Sequence, residues 1–203
     1  MYQTYIKRGF DILLAVLGIC FFALPMALIA LLIKLDDGGP VFFTQRRVGR
    51  NKRLFDMYKF RTMKTSAPKD CPTHLLSDPK SHITRLGGFL RRSSLDELPQ
   101  LFNILVGDMS VVGPRPALWN QQDLIDERDR AGACALRPGL TGWAQINGRD
   151  ELPIARKAEL DGEYARKISF GFDCRCFFGT FWAVVSARGV SEGKKSDSKE
   201  DRR

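Results

Sequence analysis

Asp96 and Glu97 stand side by side in Ser93-Ser94-Leu95-Asp96-Glu97-Leu98-Pro99-Gln100-Leu101-Phe102-Asn103, just before a proline and an apolar run. Two acids in that place have two readings. In the first they start a helix. Ser94-x-x-Glu97 has the spacing of a capping box. That register makes Pro99 the fifth helical residue, where its missing N–H forfeits a bond and its ring presses on the Leu95 carbonyl. With Asp96 as N-cap, Pro99 falls in the first turn, where no bond is lost, and Glu97 complements the helix dipole. For an isolated Asp-Glu pair before a helix, capping is the ordinary outcome. In the second reading the pair does chemistry. The helix terminus that holds a carboxylate ionised also attracts phosphate. An ionised aspartate beside Mg²⁺ and a phosphate can ligate the metal or attack phosphorus.

Cations in constrained places favour chemistry. Lys59 and Arg61 occupy alternate positions in Tyr58-Lys59-Phe60-Arg61, and so one face of a strand. Arg91, followed by Arg92, precedes the acids by about one turn. Arg115 lies between Pro114 and Pro116, Arg137 before Pro138-Gly139, and Arg149 after Gly148. Singly, each is an ordinary solvated charge. Arginines fixed beside proline and glycine turns are what bidentate recognition of phosphate oxygens needs.

Composition narrows the partners. The chain has 203 residues and a formal charge of +9, which favours anionic ligands. With His74 and His82 as its only histidines, it has the makings of neither a histidine-rich metal site nor a serine triad. Five irregularly spaced cysteines read as reduced thiols facing a cytosol. A nucleic-acid-binding module would explain the charge, but the chain carries no binding motif of that kind. Nor would it explain the apolar segment.

That segment runs uncharged from residue 12 to residue 33. As a helix it is long enough for a hydrocarbon core of about 30 Å. It is not a cleaved signal peptide, since no small-residue cleavage site follows. Both flanks are basic, with Lys7 and Arg8 before it and Lys34, Arg46 and Arg47 after it, and Pro25 sits near its middle. A helix that bends at Pro25 and leaves by its side of origin satisfies both facts; a kinked spanning helix stands equally open. Residues 41–47 and 53–61 predict a hairpin around a Gly-Arg-Asn turn. Residues 67–81 read as a surface loop. Helices are predicted at 83–92, 97–106, 119–130 and 151–167. Phe177, Phe178, Phe181 and Trp182, within 170–188, suit either the headgroup level of a bilayer or a core. Residues 191–203 are charged and without apolar anchors, a disordered composition.

The strings YIKRGFDI, VFFTQRRVG, YKFRTM, SLDELPQLFNILVGDMSVVGPRP, RPGLTGWAQINGR and ELDGEYARKISFGFD, in this order, resemble the bacterial sugar transferase family, the small monotopic phosphoglycosyl transferases. The resemblance covers nearly the whole chain. It implies an α+β, mainly helical fold: a re-entrant membrane helix-break-helix over 1–36, then a catalytic domain over 37–190 with a small β-hairpin and interfacial amphipathic helices, then the tail. It implies transfer of a sugar 1-phosphate from a UDP-sugar to polyprenyl (undecaprenyl) phosphate, with release of UMP, at the cytoplasmic face of the bacterial inner membrane. This is the first membrane step of glycoconjugate assembly. Asp96 would be the nucleophile and a Mg²⁺ ligand, paired with Glu97. Lys59 and Arg91 would position Asp96 and the phosphates, and Arg115 and Arg149 would take substrate phosphate or nucleotide. Arg61 and Arg137 complete the candidate phosphate-binding set. The family helix breaks at Ser-Pro; here the pair is Leu24-Pro25, so the proline is kept and the serine is not. Membrane lipid and a second copy of the chain are further candidate partners. The rival from another class is a non-catalytic membrane adaptor that binds anionic lipid.

Overall fold

A computed structural model of the chain describes residues 2–67, 79–148 and 152–185. The uncharged run lies inside one helix, α1 (Lys7–Asp37), 31 residues long and so about 46 Å. Among the described residues it is the helix long and apolar enough to cross a membrane, by length and composition. It extends past the apolar run because its polar ends have partners. Lys7 donates to Asp173 at 2.7 Å, and Asp11 accepts from the Ser110 hydroxyl and the Val111 N–H, each at 2.9 Å. At the far end Gly38 takes the left-handed conformation, φ 70°, and its N–H closes on the Lys34 carbonyl. The break expected at Leu24-Pro25 does not interrupt the helix: Pro25 stands inside it. A proline removes one bond from the ladder and can bend the axis without ending the helical backbone.

One stripe of α1 faces the rest of the molecule along its whole length. Lys7, Asp11, Ala15, Met26, Ile29 and Ile33 are buried, and Ile19 and Phe22 pack beside them. The spacing of three and four residues puts them on one helical face. Ala15 and Ile19 join the core of Met57, Leu101, Ile104, Met109 and Tyr164. Met26, Ile29 and Ile33 join Phe60 and Leu90. The opposite face is also apolar but exposed: Leu17, Phe21, Leu24, Leu28 and Leu35 are each more than half exposed. An uncovered patch of this extent marks an interaction surface or a bilayer contact.

The predicted hairpin forms as β1 (Phe42–Val48) and β2 (Leu54–Phe60), antiparallel with Phe42 opposite Phe60 and Val48 opposite Leu54. Then follow α2 (Pro79–His82), α3 (Arg85–Arg92) and α4 (Gln100–Val106). A second pairing was not legible beforehand: β3 (Ser110–Val112) runs parallel to β4 (Gly139–Thr141). Gly139 permits this contact, since a Cβ there would stand 2.1 Å from the Gly113 nitrogen. Between these strands lies α5 (Gln122–Arg130); after them come α6 (Trp143–Ile146), α7 (Ile154–Lys167) and α8 (Phe170–Val185). Phe177 and Phe178 on α8 are exposed, so core packing does not account for them. The tail 191–203 and most of the 67–81 loop lie outside the described residues.

Candidate active site

The acids do not cap a helix. Ser94 takes a left-handed backbone, φ 56°, costly for a residue with a Cβ, and a single 3₁₀ turn of Leu95–Glu97 follows. The Glu97 N–H reaches the Ser94 carbonyl and the Leu98 N–H the Leu95 carbonyl. Pro99 then stands at the junction before α4, where its missing N–H costs nothing. Neither Ser94 nor Asp96 makes a side-chain cap bond, so both capping registers are corrected. Asp96 is left 7% exposed, with its carboxylate not consumed by a helix end.

Glu97 gathers the cations. Lys59 Nζ, reaching over from β2, lies 2.8 Å from Glu97 Oε1, and Arg115 Nη2 lies 3.1 Å from the same oxygen. Burial opposes the Glu97 charge, but Lys59 and Arg115 outweigh it and hold the carboxyl well below its usual range. Asp96 goes the other way. Burial and the Glu97 charge raise its carboxyl above the ordinary value, against the pull of Lys59, Arg91 and Arg115. Two adjacent carboxyls thus have their affinities for protons pushed apart, the usual mark of a division of roles.

Arg91 joins them through α3. Thr84 caps that helix by accepting from the Gly87 N–H, and Gly87 lies flat on β2's extension: a Cβ there would stand 2.0 Å from the Thr62 carbonyl oxygen. This approach lets Arg91 Nε donate to Thr62 Oγ1 at 2.8 Å. Arg61, on the same strand face as Lys59, is buried against the chain leaving α1, its guanidinium where a Gly39 Cβ would be.

Arg115 is held by its backbone. The Pro114 carbonyl accepts from the Gly139 N–H, the Arg115 carbonyl from Arg128 Nη1 (2.7 Å), the Pro116 carbonyl from Arg47 Nη1 (3.0 Å), and the Ala117 carbonyl from the Val48 N–H. Arg128 is itself fixed by a buried pairing with Asp161 of α7 at 2.7 Å. Four consecutive carbonyls are tied to four different partners, so this loop is rigid despite having no regular structure. Asn103 does similar work on the other side. It is fully buried on α4, accepts from the Tyr58 N–H and donates to the Asp56 carbonyl, docking the strand that carries Lys59.

The structure thus brings Asp96, Glu97, Lys59, Arg91 and Arg115 together. It does not bring Arg137 to them: Arg137 Nε donates to the Gly107 carbonyl (2.9 Å) at the far end of α4. Arg149 lies outside the described residues. Thr62, Asn103, Arg128 and Asp161 were missed from sequence; an arginine–aspartate pair 33 positions apart gives no local signal. The Trp143 ring is covered by Arg175 and by Phe172, and its Nε1 donates to Glu163, so it is committed to packing.

Among the described residues there is no cluster of three or more His, Cys, Asp or Glu side chains fit to cage a metal. Mg²⁺ ordinarily keeps several waters and binds through one or two carboxylates plus substrate phosphates. Asp96, close to Glu97 yet not tied to its cations by an ion pair, fits that shared mode.

The chain belongs to the bacterial sugar transferase family, whose profile matches residues 2–187. It is 38% identical to the uncharacterized sugar transferase EpsL of Bacillus subtilis over 187 residues, covering 92% of this chain and 91% of that protein. It is 41% identical over 194 residues to an undecaprenyl-phosphate glucose phosphotransferase of Komagataeibacter xylinus, covering 91% of this chain but 36% of the relative. It is 40% identical over 183 residues to the UDP-glucose:undecaprenyl-phosphate glucose-1-phosphate transferase of Escherichia coli, covering 86% of this chain and 39% of that protein. The chain therefore spans well under half the length of these last two.

Proposed function

We propose that the chain transfers a sugar 1-phosphate from a UDP-sugar to polyprenyl (undecaprenyl) phosphate, through a covalent phosphosugar on Asp96. An Asp96 oxygen attacks the donor's β-phosphorus, the bond from that phosphorus to the bridging oxygen breaks, and UMP leaves with the electron pair. A phosphate oxygen of the lipid then attacks the same phosphorus, breaks its bond to Asp96 and restores the carboxylate. Lys59, Arg91 and Arg115 bind and neutralise the phosphates, while Glu97 keeps Lys59 and Arg115 in place between the two displacements. Mg²⁺, held by Asp96 and the donor's diphosphate, would supply further charge neutralisation when bound. Splitting the reaction in two keeps fewer anions together at once.

The observation that carries this reading is Asp96 itself: a buried carboxylate not spent on a helix end, beside a neighbour that holds two cations. The relatives' names support the substrates. Contacts between the body and both halves of α1 support a re-entrant helix, bent at Pro25, with the site on the cytoplasmic face and Phe89, Val106, Phe177 and Phe178 at the interface. The test is incubation of purified protein with labelled UDP-sugar and no lipid. One equivalent of UMP with label on Asp96 is expected. An active preparation with no burst would point to direct attack by the lipid, and transfer unchanged in Asp96→Asn would remove this residue from the chemistry.

A further inference from the structure

Gly107, which ends α4, is where two guanidiniums meet. Arg8, in the first turn of α1, donates from Nη1 to the Ile104 carbonyl (2.7 Å) and from Nη2 to the Leu105 carbonyl (3.0 Å). Its Nη2 stands 3.3 Å from where a Gly107 Cβ would be. Arg137 donates from Nε to the Gly107 carbonyl at 2.9 Å. Arg50, in the hairpin turn, donates from Nε to the Ala135 carbonyl at 3.1 Å, two positions from Arg137. All these acceptors are neutral, and none of the three arginines forms an ion pair with an acid among the described residues. Asp11 is the acid that acts on Arg137, and its Oδ1 is already committed to Ser110 and Val111.

The C-terminal end of a helix offers about half a negative charge, far less than three arginines bring. Burial and the charges of Arg8 and Arg50 accordingly push the Arg137 guanidinium below its usual value. The Nη groups of Arg50 and Arg137 make no hydrogen bond to described residues. The cluster thus has both the charge and the donors to bind an anion.

Its surroundings identify the anion. Val106 is 71% exposed beside Gly107, with Leu105 and Phe102 exposed on the same helix, and Ile12, one turn on from Arg8, is exposed on the same side of α1. The length of α4, seven residues or about 10 Å, separates the cluster from the acids, too far to share their reacting phosphorus. We propose that Arg8, Arg50 and Arg137 dock the phosphate headgroup of an anionic bilayer lipid, its chains lying over Ile12 of α1 and Val106 of α4. This rests on the reading of α1 as a membrane helix.

The test uses full-length protein in neutral detergent with an equimolar mixture of dioleoyl phosphatidylglycerol and dioleoyl phosphatidylcholine, bound lipid being counted by native mass spectrometry. Phosphatidylglycerol should be preferred, and the preference should fall about fivefold for Arg50→Gln and further for Arg50→Gln with Arg137→Gln, at about that factor per arginine near an anionic surface. Arg50 is exposed and outside the core, so its variant keeps the fold. Asp96→Asn and the surface variant Arg130→Gln should leave the preference intact. Equal preference in Arg50→Gln and the parent, or an equal fall in Arg130→Gln, would overturn the site. Displacement of phosphatidylglycerol by millimolar inorganic phosphate would show a phosphate site without a lipid and overturn it too. Failure of the membrane reading reads out separately, as protein washed from membranes by alkaline carbonate.

Discussion

Arg128 and Asp161 lie away from the acids, yet they should control them through Arg115. Their side chains are 8% and 1% exposed and 2.7 Å apart, and Arg128 Nη1 carries the Arg115 carbonyl. Removing one partner strands a buried charge, so Arg128→Met or Asp161→Leu alone should destabilise by about 3–5 kcal/mol. The double variant replaces both charges with apolar groups and should recover most of that loss. Stability and catalysis then separate. The double variant still lacks the bond to the Arg115 carbonyl, worth about 0.5–1.5 kcal/mol. If that bond positions Arg115 against donor phosphates, kcat/KM should fall about twofold to tenfold, mostly through KM for the UDP-sugar. Thermal unfolding in detergent and UMP-release kinetics would measure the two effects. A double variant as unstable as the singles would refute the stranded-charge argument; one that is stable with unchanged KM would show that Arg115 needs no help from α5.

Four further outcomes follow from the geometry. On the proposed mechanism Asp96 attacks in its ionised form, and its carboxyl is raised by burial and Glu97, so kcat/KM should fall on the acid side at a pH above the ordinary aspartate value of about 3.9; Glu97→Gln should move that limb down and Lys59→Met should move it up. Glu97 has the opposite sign: its lowered carboxyl contributes stability above the unfolded value of about 4.3, lost as pH falls, and Lys59→Met should flatten that dependence in acid unfolding. Asp173 accepts from Lys7 (2.7 Å), Tyr2 (2.6 Å) and Tyr164 (2.5 Å). Asp173→Asn should cost about 3–5 kcal/mol by stranding Lys7, and Lys7→Met in the same chain should restore part of it, as chemical unfolding would measure. Gly87→Ala should cost about 1–3 kcal/mol and slow turnover, because a Cβ against the Thr62 carbonyl pushes α3 and Arg91 away; unchanged unfolding and activity would count against that packing.

Local chemistry made some elements legible. The hairpin follows from aromatic and β-branched runs around a turn, and it forms nearly within the predicted bounds. The β3–β4 pair did not show, because three-residue strands have no alternation to read and their partners are distant in sequence. The uncharged run of 12–33 was legible as the apolar part of α1, but Lys7 and Asp11 read as flanking charges; only their partners on α8 and β3 make them interior to the fold. The acids were legible as a candidate site, but their backbone was not. A left-handed Ser94 goes against its own propensity, and such strain is held only by surrounding structure. Arg115 and Arg137 look alike beside their prolines. What sends one to Glu97 and the other to Gly107 is which acceptor the fold puts in reach.

The stripe along α1 means that the apolar segment, whatever its outer face meets, is also a wall of the body that carries the acids. Cutting the chain after Asp37 would not liberate a water-soluble enzyme; it would strip the cover from Phe60, Leu90 and Leu101 at once. Grafting on an unrelated hydrophobic segment would restore the apolar length but not the missing half of two cores. On the proposed function, the solvent that carries the lipid substrate and the scaffold that aims the nucleophile would meet on opposite faces of a single helix.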